Sequence, residues 1–148
     1  MRMISRNFKK IGTVFVAIFI IMVGVIIFAN ANRTYSASEV LGNYADLNAE
    51  NPFVDIESID VENEKKFTSI EISEDMEQEL IEAFKNTKFI RVKDGSMDYD
   101  YRVNITLNTG YAMWIDSNKK LLKVIDTQES YSTENDSDFF EILENITE

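Results

Sequence analysis

The chain has 148 residues, with 15 Lys+Arg against 26 Asp+Glu and a net charge of −11. That length suits one domain, not two. There is no Cys and no His, which excludes disulfides, thiol nucleophiles, imidazole bases and zinc centres built on those ligands.

The charge is segregated. Residues 1–10 carry four bases (Arg2, Arg6, Lys9, Lys10) and no acid, and residues 11–29 carry no charge. Residues 30–148 hold the other 11 bases and all 26 acids, a net of −15. Nucleic-acid phosphates and anionic headgroups repel such a segment, so nucleic acid is not an expected partner.

Residues 11–29 are 19 mostly apolar residues. As a helix they extend about 28 Å, close to a bilayer's hydrocarbon thickness. The four preceding bases place the N-terminus in the cytoplasm and residues 30–148 outside. The expectation is a retained single-pass anchor at the cell membrane. The alternative is export with cleavage after Ala31, at the small-x-small site Ala29-Asn30-Ala31. The apolar run exceeds the usual ~7–15 residues of a signal peptide. No Cys follows the run, so lipid attachment at a cysteine is excluded.

Residues 30–66 read as a juxtamembrane segment. Ser36 and Glu39 have capping-box spacing, with Val40, Leu41 and Tyr44 on one helical face. Pro52 ends any helix there, and Val54, Ile56, Ile59 and Val61 mark one short strand. Residues 63–66 form a polar loop.

A domain of 67–148 follows. Ile70 and Ile72 alternate with polar residues as in a strand. Ser73 caps a helix whose stripe is Met76, Leu80, Ile81 and Phe84, ending at Asn86-Thr87. Residues 88–93 read as a strand and 94–96 as a turn. Over 99–107, Tyr99, Tyr101, Val103, Ile105 and Leu107 share one face, and Asp100, Arg102, Asn104 and Thr106 the other. Asn108-Thr109-Gly110 is the expected hairpin loop, with Gly at a positive φ. Residues 111–116 return, 117–120 turn, and 121–126 run back. Tyr131 marks a short further strand. Asn135 or Asp136 caps a last helix with the stripe Phe139, Phe140, Leu143 and Ile146. The expected fold class is α+β: after the transmembrane helix, an antiparallel meander with two helices on one face.

The anchor, the acidic Cys-free domain, and the runs Tyr99–Leu107 and Gly110–Ile115 resemble the small, uncharacterised, membrane-anchored extracytoplasmic proteins of Gram-positive bacteria. That resemblance implies no catalytic residue.

No G-x-S-x-G, Walker or Ser-x-x-Lys pattern stands out, so an enzyme is not expected, nor is a cofactor. Asp94, Ser96, Asp98 and Asp100 resemble the start of a calcium loop. The loop fails at Tyr99 and Ile105, where Gly and Glu belong. No metal site is assigned. The acids around Glu134, Asp136 and Asp138 read as a solvated turn.

Trp114 is the aromatic of interest. Pairing Leu107 with Tyr111 sets Asn104 opposite Trp114, with Arg102 and Thr106 diagonal. Strand alternation then gathers Arg91, Lys93 and Lys123 on the same face. Such a face can grip a peptide or an anionic wall polymer. The competing expectation is that residues 34–62 cover it, with Phe89, Leu121 and Ile125 beneath. The expected function is a single-pass protein displaying a non-enzymatic binding or regulatory domain outside the cell. Its partner is another membrane protein, a peptide or wall material. A released inhibitory protein and a membrane-bound immunity protein are the alternatives.

Overall fold

The computed structural model describes residues 15–28, 33–42, 44–60, 66–93, 96–134 and 138–147. The chain divides into two compact units, Met1–Arg33 and Thr34–Glu148.

In the first unit, residues 15–28 form a helix, α1, exposed on every side. Fourteen residues give it a length of about 21 Å. Among the described residues, no helix is long and apolar enough to cross a membrane. Residues 11–14 and 29, which complete the expected 19-residue span, lie outside the described residues, as does the Ala29–Ala31 site.

The second unit is α+β. Its strands are β1 (Thr34–Tyr35), β2 (Phe53–Asp60), β3 (Lys66–Ile70), β4 (Phe89–Val92), β5 (Tyr101–Thr106), β6 (Gly110–Asp116), β7 (Leu121–Val124) and β8 (Ser130–Thr133). They form one eight-stranded sheet in the order β1-β4-β8-β7-β6-β5-β2-β3. Every neighbouring pair is antiparallel. Its helices are α2 (Ala37–Leu41), α3 (Glu74–Asn86) and α4 (Asp138–Thr147). Four strands of the expected meander are consecutive neighbours, β5-β6-β7-β8, but β4 is not the next strand to β5: it crosses to the other side of β8 and pairs with β8 and β1.

The helices bury their stripes against one side of the sheet. Leu80, Ile81 and Phe84 of α3 and Phe139, Phe140 and Leu143 of α4 join Val103, Ile105, Met113, Ile115, Leu122 and Val124 in a single core. The Phe84 ring lies 5.2 Å from Phe89 and 5.4 Å from Phe139. Ser73 caps α3 as expected, its hydroxyl accepting from the Met76 N–H. Ser36 and Glu39 form the expected capping box of α2, and Gly42 ends that helix at φ 109°. A side chain there would be strained. The proposed caps Asn135 and Asp136 lie outside the described residues.

Three further expectations are corrected. The boundary at residue 66 falls inside the sheet. Residues 34–60 supply β1, α2 and β2, and β2 lies between β5 and β3. The cause is apolar content: Ala37, Val40, Leu41, Val54 and Ile56 are all buried in the core. Pro52 sits just ahead of β2, where its missing N–H costs no ladder bond. The Val54 N–H, beyond the reach of β3, donates to the Glu77 carboxylate of α3.

The hairpin register also differs. Ile105 pairs with Tyr111 and Thr106 with Gly110. The loop is therefore Leu107-Asn108-Thr109, closed by the Leu107 N–H on the Thr109 carbonyl at 2.9 Å. Gly110 lies within β6, and Gly42 is the glycine with positive φ among the described residues. The Asn108 side chain explains the loop. It accepts from the Asp46 N–H at 3.0 Å and donates to the Tyr44 carbonyl at 2.9 Å. The slip is two residues, so each side chain keeps its expected face.

Tyr99 is the third. It precedes β5, where strand alternation does not apply, and its ring lies against Trp114 on the face away from the helices. Tyr101 packs at the core, as expected.

Candidate functional site

The face away from the helices is set by register. Glu57, Arg102, Trp114, Lys123 and Ser130 stand in one row across β2, β5, β6, β7 and β8. Asp55, Asn104 and Ala112 form the adjacent row. Residues 53–60 do not cover this face, because they form β2 within the sheet. Phe89 does not lie beneath it either: it is fully buried on the helix side.

Trp114 is half-buried at the centre of an aromatic cluster. Phe67 of β3 stacks at 6.1 Å between ring centroids, and Tyr99 tilts against it at 5.6 Å. The Arg102 guanidinium lies 5.9 Å from both the Phe67 and the Trp114 ring centroids. A cation over two ring faces is attracted by their quadrupoles. Its Nη1 donates to Glu57 at 3.3 Å, so its charge is also balanced by a carboxylate. Its Nε is enclosed and has no hydrogen-bond partner in the structure. Asn104 donates to Asp55 at 3.2 Å.

Beside Trp114 lies a cleft of about 600 Å³, lined by Ile59, Phe67, Met97, Tyr99 and Asn118 together with Asp98 and Asp100. Apolar and aromatic side chains make up most of its lining, with two acids among them. The segment 96–100 that forms one wall is tied down from β6 and the turn after it. Asp116, only 1% exposed, accepts the Asp98 N–H at 2.9 Å and the Lys119 N–H at 3.0 Å. Lys119 Nζ reaches the Ser96 carbonyl at 2.8 Å and Asp98 at 3.0 Å. The hydrogen bond and charge of Asp98, with Asp116 behind it, raise the Lys119 pKa above its ordinary value. Asp100 accepts the N–H and hydroxyl of Ser117.

Two acids of the run that resembled a calcium loop, Asp98 and Asp100, hold this wall through Lys119 and Ser117. Asp94 lies outside the described residues. Among the described residues, no group of three or more His, Cys, Asp or Glu is arranged to hold a metal ion.

Of the five expected face residues, Trp114, Arg102, Asn104 and Lys123 come together. The residue opposite Trp114 is Arg102, not Asn104. Arg91 is displaced. It pairs with Tyr131, which puts it on the helix side, where Glu129 holds its guanidinium. It meets Lys93 and Lys123 only at the end of the sheet, around a second, polar cleft. Phe67, Tyr99, Met97 and Ile59 are site residues that sequence reasoning missed. Phe67 faces Trp114 only because β3 joins β2 and β2 joins β5, a pairing no local pattern carries.

Comparison with protein-family models, with curated proteins and with solved structures finds no match to this chain.

Proposed function

We propose that this is a non-enzymatic, single-pass membrane protein that displays its α+β unit outside the cell and binds a partner polypeptide through the Trp114 cleft. The observation that carries the binding reading is the aromatic cluster of Phe67, Tyr99 and Trp114 on the sheet face away from α2, α3 and α4. Phe67 is 45% exposed. Exposed aromatic surface of this kind, rimmed by polar residues, is where partners gain most of their binding energy. The membrane reading rests on the uncharged stretch 11–29 between four bases and a segment of net −15. An anchor concentrates the unit near partners in the same bilayer.

A photo-crosslinking residue placed at position 67 in intact cells tests both parts. It should yield a discrete adduct, while the same probe at exposed Glu79 on α3 should not. Added protease should remove the unit from whole cells and leave a membrane-embedded stub. Equal crosslinking from both positions would refute the cleft, and protection from protease would refute the topology. The second reading, release after Ala31, is favoured by the Ala29-Asn30-Ala31 site and would place the intact unit in the culture medium.

A further inference from the structure

We propose that the cleft at the β7–β8 turn is an anion site that takes phosphodiester groups of a linear polyanion. The cleft has a volume of about 540 Å³, and Arg91, Lys93 and Lys123 line it. Thr127, Gln128 and Ser130 add hydroxyl and amide donors. Val92 is the single apolar residue in the lining, so the cleft would not bury an acyl chain.

The only acid in the lining is Glu129, and both its oxygens are occupied. Arg91 pairs with one, and the Tyr131 hydroxyl donates to the other at 2.6 Å. Glu129 thus fixes the Arg91 fork at the cleft, and because the two charges cancel, the net charge of the lining comes from Lys93 and Lys123. Lys93 and Lys123 differ from other cations of the unit. Lys85, Arg102 and Lys119 are each held by a carboxylate. Lys93 and Lys123 have no ion pair with any described residue. In a chain where acids outnumber bases 26 to 15, two ammonium groups without an ion pair to any described residue line one cleft together with hydroxyl and amide donors. The groove between α3 and α4 has the opposite character, lined by Glu79, Glu82, Asp138 and Glu141.

A phosphodiester carries one negative charge and several acceptor oxygens, which suits lysine point charges and a fixed arginine fork. The shape of the ligand follows from the remaining charge. The net −15 of residues 30–148 repels a broad anionic plane such as a lipid surface. A thin chain entering the cleft meets mainly the nearby cations, because charges beyond about 8 Å are largely screened at physiological salt. The site is separate from the Trp114 cleft and does not depend on it. Lys123 is the cross-strand neighbour of Trp114, so the two share a border.

That border supplies a reporter, since Trp114 is the only tryptophan in the chain. The experiment titrates the full-length protein in neutral detergent with poly(glycerol phosphate). Calorimetry reads binding, and Trp114 emission reads its location. Saturable binding with a change in emission is expected. Lys93→Gln and Lys123→Gln should each weaken it by roughly tenfold at low salt, and raising salt from about 50 to about 200 mM should weaken it further. Lys85→Gln, on α3, should not. Phosphatidylglycerol mixed into the micelles should leave Trp114 emission unchanged. No binding of the polymer, binding unchanged in both cleft variants, or an emission change with phosphatidylglycerol micelles in place of the polymer would each overturn the proposal. Crosslinking at position 67 is unaffected by this outcome, so the two readings fail separately.

Discussion

Arg102 stands directly across from Trp114 in the β5–β6 ladder, and Glu57 stands directly across from Arg102 on its other side. The row places a carboxylate, a guanidinium and an indole in line across three strands. Arg102 serves both neighbours: it balances Glu57 and covers the Trp114 ring. The cation of this face is thus already engaged, which turns the Trp114 cleft from an anion grip into an apolar site.

Trp114→Ala should leave the unit folded and lower its stability by about 1–2 kcal/mol. That is below the ~3–5 kcal/mol of a fully enclosed aromatic, because the ring is half-buried and its neighbours are surface side chains. Urea unfolding followed by circular dichroism measures this. A loss as large as that of a core aromatic would mean the ring is structural and the cleft incidental.

Ile105→Asp should unfold the unit. Ile105 is 1% exposed among the core residues, and an unpaired carboxylate there costs several kcal/mol of a total near ~5–15 kcal/mol. Asn104→Asp, one residue earlier, should leave it folded but not unchanged. Asn104 donates to Asp55 at 3.2 Å, so the variant sets two carboxylates opposite each other. A loss of about 0.5–1 kcal/mol at neutral pH, recovered on acidification, is expected. Thermal melts at pH 7 and pH 4 distinguish the two variants.

Much of the second unit was legible because side-chain period and element type are locally linked. The alternation over 101–106 and the stripes Leu80–Phe84 and Phe139–Leu143 assign faces without knowledge of neighbours. What stayed hidden depends on which strands meet. β2 was readable as a strand, but its place between β5 and β3 was not. Arg91 and Lys123 differ in face only through the β4–β8 and β7–β8 registers. Tyr99 escaped because alternation was carried two residues past the start of β5. The same limits divided the site: its indole and guanidinium were found, and its Phe67 and Tyr99 walls were not.

Alkaline stability should carry the signature of Tyr131. Burial, then the hydrogen bond to Glu129, raise its pKa well above the ordinary phenol value. Above about pH 10 the unfolded chain releases a proton that the folded chain keeps. The stabilisation is therefore complete below that pH and declines as pH rises beyond it. Lys119, also raised, contributes in the same direction, though its ammonium is exposed. Tyr131→Phe should be less stable at pH 7, by about 0.5–1.5 kcal/mol for the lost hydrogen bond. It should also show a shallower decline between about pH 9 and 12. Parallel pH profiles of urea midpoints for the two proteins would argue against the assignment.

The extent of the folding unit gives the sharpest contrast. A fragment of residues 67–148 has every expected element of the meander and both longer helices. It lacks β2, which covers the far edge of β5 along six paired positions, Phe53 to Ser58. It also lacks Val54 and Ile56, and Ala37, Val40 and Leu41 of α2, all buried in the same core. Without them the inward faces of Val103 and Ile105 lose their neighbours, β5 becomes an open edge, and β3 has no strand to pair with. Glu77 loses the Val54 N–H it accepts from. The four larger of these side chains, Val40, Leu41, Val54 and Ile56, at about 1.5–3 kcal/mol each amount to as much as a domain's whole stability. Residues 34–148 should therefore give a cooperative melt, and residues 67–148 should aggregate or remain largely unfolded. Circular dichroism and size-exclusion chromatography of the two purified fragments decide it. A cooperative transition for the shorter one would mean that the meander and its helices hold the core without the N-terminal strand.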